Sequence, residues 1–458
     1  METSPYIKLV ERDYQRGLFA SEETLILEFF GNVQSAAGDQ GGDKKPPEQD
    51  KQLLLTVKSH IQHGPFPGFS TLAAATTTSD VLFPEAIKQD AAQVLGDKRP
   101  FSQTTTIFFD GAGHTSFSSP KFDVEFPTPQ ESNGKTLSIT WEGFQGDMDF
   151  SPDMKQLTFR AKAPSLKVSD SDGFHATLTD LRLEGDQEKI FDDIATLFSG
   201  SQRASIAEIS FVVPNSGDEP FIIKQLSYDL DLPRDGDYID LVERMGIESL
   251  QIGKDNMGPI HFDYSFKHLH TRAVAEISQT FMGIYSDPDL LAAGGEAFAR
   301  ELMPQLMQHA ETILDNAPEF HIDRLSFANA EGEANLQATL TLNGLRLQEI
   351  LANPAIAIAK LEAIGEAHLE EKMVLELLRN PPGKSKMALA NLSPEELEAQ
   401  SQMMASQFQE QVAMLTEMGY ITREGSLLKT HAEFKGGQLL VNGKPFMPIP
   451  AQDESTIQ

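Results

Sequence analysis

Apolar and polar side chains alternate with period two along most of the first 150 residues. In the stretch Leu53–Gln62, Leu53, Leu55, Val57 and Ile61 fall on one face, while Thr56, Lys58, His60 and Gln62 fall on the other. Thr24–Phe30 behaves in the same way, and such alternation predicts half-buried strands. Between these two stretches, residues 31–52 are broken by Gly38, Gly41, Gly42, Pro46 and Pro47 and carry mostly polar side chains, which predicts a long, mobile hairpin loop.

From about Lys135 to Tyr264 one short strand form returns: Lys155–Phe159, Ala207–Phe211 and Lys224–Tyr228, with Asp323–Phe327 repeating it later. Each sets an aliphatic residue and an aromatic two positions on toward one face, with Ser or Thr between them. The spacing is irregular, so this is a reused strand pattern and not a solenoid. Turn residues punctuate it at Ser169–Gly173, Pro214–Asp218 and Pro233–Asp237, which predicts antiparallel strands joined by hairpins.

Helical spacing is read in Lys189–Phe198, in Tyr238–Met245 and from about Pro288 to Leu314, where Phe298, Leu302, Leu306 and Ile313 form a stripe and Pro304 predicts a kink. The best-marked helix starts at Ser393-Pro394-Glu395-Glu396, carries Leu397, Met404, Phe408, Val412 and Leu415, and ends at Gly419. A closing hairpin over Tyr420–Phe446 follows, turned at Lys435-Gly436-Gly437 and at Asn442-Gly443. These elements predict an α+β fold, predominantly antiparallel β, with extended curved sheets and a few packed helices. Its expected regions are an N-terminal β-rich part over 1–134, an antiparallel sheet over 135–275, and a mixed part over 276–458 ending in the hairpin.

Composition narrows the function. Among 458 residues, 68 Asp and Glu face 37 Lys and Arg, a formal charge of −31, which disfavours nucleic acid as a partner. No cysteine is present, which removes disulfides, thiolate metal sites and a cysteine nucleophile. No window reaches the roughly 20 apolar residues that span a bilayer.

The chemistry that the chain lacks is equally informative. Gly383-Lys384-Ser385 resembles the end of a phosphate-binding loop, but Leu378 stands where that motif needs glycine. Neither a nucleophile elbow, a dinucleotide fingerprint nor a zinc-protease helix occurs. His268 and His270, two apart on a strand, would share a face and offer a metal two ligands; the competing reading makes them surface neighbours of Phe262, Tyr264 and Phe266. Asp147 and Asp149 read as solvated acids. No catalytic residue, cofactor or metal site is assigned. The one dense local motif is His63-Gly64-Pro65-Phe66-Pro67-Gly68, a rigid turned segment in which Phe66 is expected to pin the chain to the core; His63, Gly64, Pro65, Phe66 and Pro67 are the candidate functional loop.

Tyr14–Ser21, His63–Pro67, Pro318–Asp323 with Glu331-Gly332-Glu333, Gly419–Ile421 and Leu440–Pro445 together resemble the YdgA-like family of bacterial envelope proteins, from about Tyr14 to Pro445. The resemblance implies a periplasmic body held to the inner membrane by an N-terminal helix that this sequence does not contain. It implies no agreed catalytic residues, and the family's function is not established.

Three functions follow as expectations. The first is a non-enzymatic periplasmic protein binding a lipid or other hydrophobic ligand or client in an apolar groove of its sheet, because the helices are too few to cover so many amphipathic strands. The second is a scaffolding protein acting as a homodimer, with Met403, Met404, Met414 and Met418 on its C-terminal helix; methionines at that spacing more often belong to a core. The third is an enzyme of unlisted type near His63 or the His268/His270 pair.

Overall fold

The structure is a computed structural model that describes residues 7–29, 53–69, 71–82, 96, 99–127, 136–212, 220–285, 295–379 and 394–446. The predicted loop over 31–52, the turn over 214–218, Ser393 and the 383–385 motif lie outside the described residues. The chain forms two compact units, one of residues 1–206 and 274–309, the other of residues 207–273 and 310–458. Both are built mainly from antiparallel strands, as the alternation predicts.

The first unit contains β1 (Ile7–Arg16), β2 (Ala20–Phe29), β3 (Leu53–His63), β4 (Ala75–Leu82), β5 (Ser102–Ile107), β6 (Gly113–Ser119), β7 (Phe122–Pro127), β8 (Thr136–Trp141), β9 (Phe144–Phe150), β10 (Gln156–Asp170) and β11 (His175–Lys189). Each pairs with its sequence neighbour, from β1 through β6. The next rung is double: β6 and β7 run on in one direction, and β8 and β9 return, pairing β7–β8 and β6–β9. β10 then accepts β9 along its first half and β8 along its second, and β11 pairs along the other edge of β10. At the junction between β8 and β9, Gly143 takes φ +93, a backbone state that suits glycine.

One face of this sheet is charged, with Glu22, His60, Asp147, Arg160 and Glu184 brought into one row by the registers. The opposite face is apolar at its ends and hydroxylated in its middle. There Ser59 Oγ lies 2.8 Å from Ser79 Oγ and Thr105 Oγ1 lies 2.9 Å from Thr115 Oγ1, so the buried Ser59 and Thr115 are satisfied across strands. Asp170 shapes the β10–β11 turn by accepting the amides of Asp172 and Phe174.

Strand β12 (Phe198–Val212) passes from the first unit into the second at residue 206. The second unit continues with β13 (Phe221–Leu232), β14 (Arg234–Asp235), β15 (Tyr238–Ile247), β16 (Ser249–Ile252), β17 (Asp255–Met257) and β18 (Ile260–His270). After two helices come β19 (Glu319–Asn329), β20 (Gly332–Leu342), β21 (Leu361–Glu370), β22 (Thr422–Glu424), β23 (Leu427–Lys435), β24 (Gln438–Val441) and β25 (Lys444–Pro445). The ladder runs β13–β15–β18–β19–β20–β21–β23–β24, again antiparallel throughout.

Helices enter as insertions between strands that are neighbours in this ladder. α1 (Thr271–Tyr285) and α2 (Gly295–Asp315) separate β18 from β19; α3 (Leu347–Ala352) and α4 (Pro354–Lys360) separate β20 from β21; α5 (Glu371–Arg379) and α6 (Pro394–Met418) separate β21 from β22 and β23. At α4, Asn353 Oδ1 accepts the amide of Ala355 and Pro354 occupies the first turn, a cap that contributes about 1 kcal/mol. At the end of α6, Gly419 takes φ +77 and the Tyr420 amide reaches back to the Leu415 carbonyl, which satisfies a terminal acceptor. No helix among the described residues is long and apolar enough to cross a membrane.

Several expectations are corrected. Tyr238–Met245 is strand β15 and not a helix, and Lys189–Phe198 is a strand end, a turn and the first residue of β12. Pro304 lies inside α2, which continues past it to Asp315 and so is not ended there. In Asp323–Phe327 the phase is reversed by a register shift near Ile322: Ser326 is buried, while Leu325 is exposed. On α6 it is Ser401, Ala405 and Val412 that are buried, whereas Met403, Met404 and Met418 are exposed.

Candidate functional site

The His63–Pro67 loop leaves the end of β3 and returns to β4. Its backbone is tied at several points: His63 N donates to Phe19 O at 2.9 Å, Gly64 N to Ala74 O at 2.7 Å, and Ala73 N to Pro65 O at 3.2 Å. Gly64 has no alternative here, since a Cβ on it would meet the Ala73 carbonyl oxygen at 2.2 Å. Pro67 is the buried anchor of the loop; Phe66, expected to be the pin, is exposed. A short 3-10 turn over Pro67–Phe69 holds Gly68 at φ +58, with the Gln62 side chain packed where a Cβ would stand. The His63 ring faces Ser21, whose Oγ is 2.9 Å from Nε2.

The remaining histidines are dispersed by the fold. His60 pairs with Glu22 at 2.5 Å on the charged face, and His114 is held between Asp149 at 2.7 Å and Asp147 at 3.5 Å. His268 and His270 do not make a shared site, because His268 adopts φ +60 and breaks the alternation. Its ring stacks on Tyr238 and its Nδ1 lies 2.6 Å from the Asn316 carbonyl oxygen, while His270 Nδ1 accepts the Ala273 amide. Among the described residues, no group of three His, Asp or Glu side chains is arranged to hold a metal ion.

The second unit holds an apolar cavity that sequence reasoning missed. It lies between α6 and the sheet, has a volume of about 220 Å³, and takes Phe408, Val412 and Leu415 from the helix and Ala367, Leu369 and Leu428 from β21 and β23. His368 and Lys429 sit at alternate register positions among these. Along α6, Ser401, Ala405 and Val412 are buried, and the helix packs on α5 as well as over the cavity. The Gln- and Met-rich sequence of the helix hides that arrangement from a periodicity reading; on the sheet, Ala367 and Leu369 alternate along β21, with Thr430 and Leu428 as their partners on β23.

Elsewhere in the second unit a carboxylate lies among aromatic rings. Tyr264 packs in tilted contacts with Phe262 and Phe320, and its hydroxyl donates to Glu243 Oε2 at 2.6 Å. That hydrogen bond, together with burial, pushes the Tyr264 hydroxyl up to about 12. On β23, His431 contacts Glu433 at 3.0 Å and Glu366 at 3.2 Å, and the Glu433 bond foremost raises the imidazole above its ordinary value.

Fold and side chains therefore define a protein of two antiparallel β units with inserted helices, whose chemistry is apolar surface and cavity. The chain belongs to the bacterial family described as "Bacterial protein of unknown function (DUF945)", matched over residues 1–449. Neither a curated protein nor a solved structure matches it.

Proposed function

We propose that the protein is a non-enzymatic binding protein of the bacterial periplasm that holds one hydrophobic chain, such as a fatty acyl tail, against its sheet beneath α6. The observation that carries the reading is the cavity itself, lined by Ala367, Leu369, Phe408, Val412, Leu415 and Leu428. A cavity of about 220 Å³ is smaller than the roughly 300–1,000 Å³ of drug-sized sites, so a single chain fits where a two-chain lipid does not. Dry apolar cavities take apolar guests because burial removes the guest from water without requiring a polar partner. The YdgA-like resemblance supports the periplasmic address and attachment to the inner membrane.

The test is mass spectrometry of an organic extract of the purified full chain, before and after incubation with membrane lipids. Near-stoichiometric fatty acyl species that disappear in Ala367→Phe support the reading. A clean extract in both states overturns it.

A second reading has its own observation. Met403, Met404 and Met418 are exposed along α6, and exposed methionines adapt to varied partners. This supports a scaffolding role through a homodimer, for which sedimentation velocity of wild type and of Met403→Glu is the check: a dimer abolished by the substitution supports it, and a monomer at all concentrations overturns it.

A further inference from the structure

The turns at one end of the first unit's sheet carry large apolar side chains directed into solvent. Because neighbouring strands are antiparallel, the β1–β2, β3–β4, β5–β6 and β9–β10 turns all fall at the same end. They also touch in sequence: His63 N bonds Phe19 O, Ala74 N bonds Ile107 O, and Gly111 approaches Pro152. The first turn presents Leu18 at 84% and Phe19 at 79% exposure. The second presents Phe66, Leu72 and Phe69, the last at 98%. Phe108 and Phe109 follow on the third turn, and Met154 on the fourth.

Charge is nearly absent from this row, in a chain of formal charge −31. The segments 17–19 and 64–74 contain no ionisable residue. The ionisable residues of the other two turns are Asp110, Asp153 and Lys155, each partnered: Asp110 accepts the Ala112 amide, Asp153 accepts Ser151 Oγ and the Lys155 amide, and Lys155 Nζ pairs with Asp192 at 2.9 Å. Backbone conformation is a second, independent sign. Phe69 and Met154 both sit at φ +57, where glycine costs least, yet each keeps a large apolar side chain in water.

We propose that this row of turns is a docking edge that inserts its side chains into the surface of an electrically neutral lipid bilayer. The row's charge and layout favour a bilayer: the exposed apolar side chains stand on separate turn tips along one sheet end, and the two turns that carry most of them, 17–19 and 64–74, hold no ionisable residue. Eight strands in ladder order at about 4.8 Å give a length of about 34 Å, and one sheet with its side chains is about 10 Å thick. The row is therefore long and narrow. A second copy of the chain also brings a second large negative charge. A bilayer needs no matching surface: each side chain enters separately and contributes by its own buried area. This surface belongs to a different unit from the acyl cavity, and either reading stands without the other.

The test is flotation of the full chain with phosphatidylcholine vesicles, at low and at high salt. The expected result is co-flotation insensitive to salt, weakened about tenfold or more by Phe69→Ser and again by Phe109→Ser, with an unchanged circular dichroism melt, since both side chains are exposed. Because the chain has no cysteine, an environment-sensitive thiol label is unambiguous. On Thr71→Cys the label should shift to the blue with vesicles, and on Asp172→Cys, in the turn at the opposite end, it should not. Failure to float, flotation unaffected by both serine variants, or a blue shift at position 71 on concentrating the protein without vesicles would each overturn the proposal, the last by assigning the edge to a second copy.

Discussion

Ser21 Oγ lies 2.9 Å from His63 Nε2, and Ser21 is buried to 2% exposure. The contact joins the start of β2 to the end of β3, so the loop that begins at His63 is anchored to the adjacent turn through a side chain as well as through the His63–Phe19 backbone bond. Replacing Ser21 by Ala leaves the half-buried imidazole without this partner. The expected cost is about 1 kcal/mol, read as a lower urea midpoint with an unchanged slope.

Gly64→Ala tests the geometry of the same loop. The added methyl would stand 2.2 Å from the Ala73 carbonyl oxygen, which is backbone and itself part of the loop closure. The neighbouring strands β3 and β4 must move apart, and the expected destabilisation is about 2–3 kcal/mol. Phe66→Ala, by contrast, trims an exposed ring and should stay within about 0.5 kcal/mol. Thermal denaturation of the two variants side by side checks the contrast, and equal losses would return Phe66 to the role of anchor.

How much of this was readable in the chain depends on whether the deciding interaction is local. The alternation at Leu53–Gln62 is imposed by a half-buried strand, and the turn at Asn442-Gly443 needs two consecutive positive φ values that these residues tolerate; both are visible without tertiary knowledge. Tyr238, Leu241, Val242 and Met245 satisfy the spacing of a helix as well as that of a short strand, and only pairing with β13 and β18 decides the matter. α1 begins directly after β18 with no capping acid ahead of it, so nothing local announces it. The candidate loop was legible because Gly64, Pro65 and Pro67 are adjacent in sequence. The cavity and the apolar turns were not: Ala367 and Phe408 line one cavity from a strand and a helix about 40 residues apart, and Phe19, Phe69 and Phe109 share one sheet end only because strands far apart in sequence end together.

Tyr264 provides a spectroscopic readout of the second unit. Its hydroxyl is held protonated up to about 12 by the bond to Glu243 and by burial. Absorbance at the phenolate band during alkaline titration should show a tyrosine ionising well after the others, and Glu243→Gln should bring it back toward the ordinary value of about 10. The sign for stability follows: a group whose pKa is raised by folding contributes fully below its unfolded value, so this contribution is complete below about pH 10 and is lost as pH rises through the folded value. A wild-type protein whose tyrosines all ionise together would contradict the Glu243 pairing.

His431 makes the corresponding prediction nearer neutrality. Glu433 and Glu366 both accept from the ring, and its pKa is raised above the ordinary histidine value, most of all by Glu433. Since folding raises it, the stabilisation is fully present below the unfolded value of about 6.5 and disappears as pH rises through the folded one. A two-dimensional NMR titration should find His431 titrating later than a free histidine. Glu433→Gln should lower its midpoint more than Glu366→Gln, because Glu433 is the larger cause and, at 3.0 Å against 3.2 Å, the closer carboxylate. The reverse order of the two variants would mean that the Glu366 contact across β21 and β23, and not the Glu433 contact along β23, holds the proton.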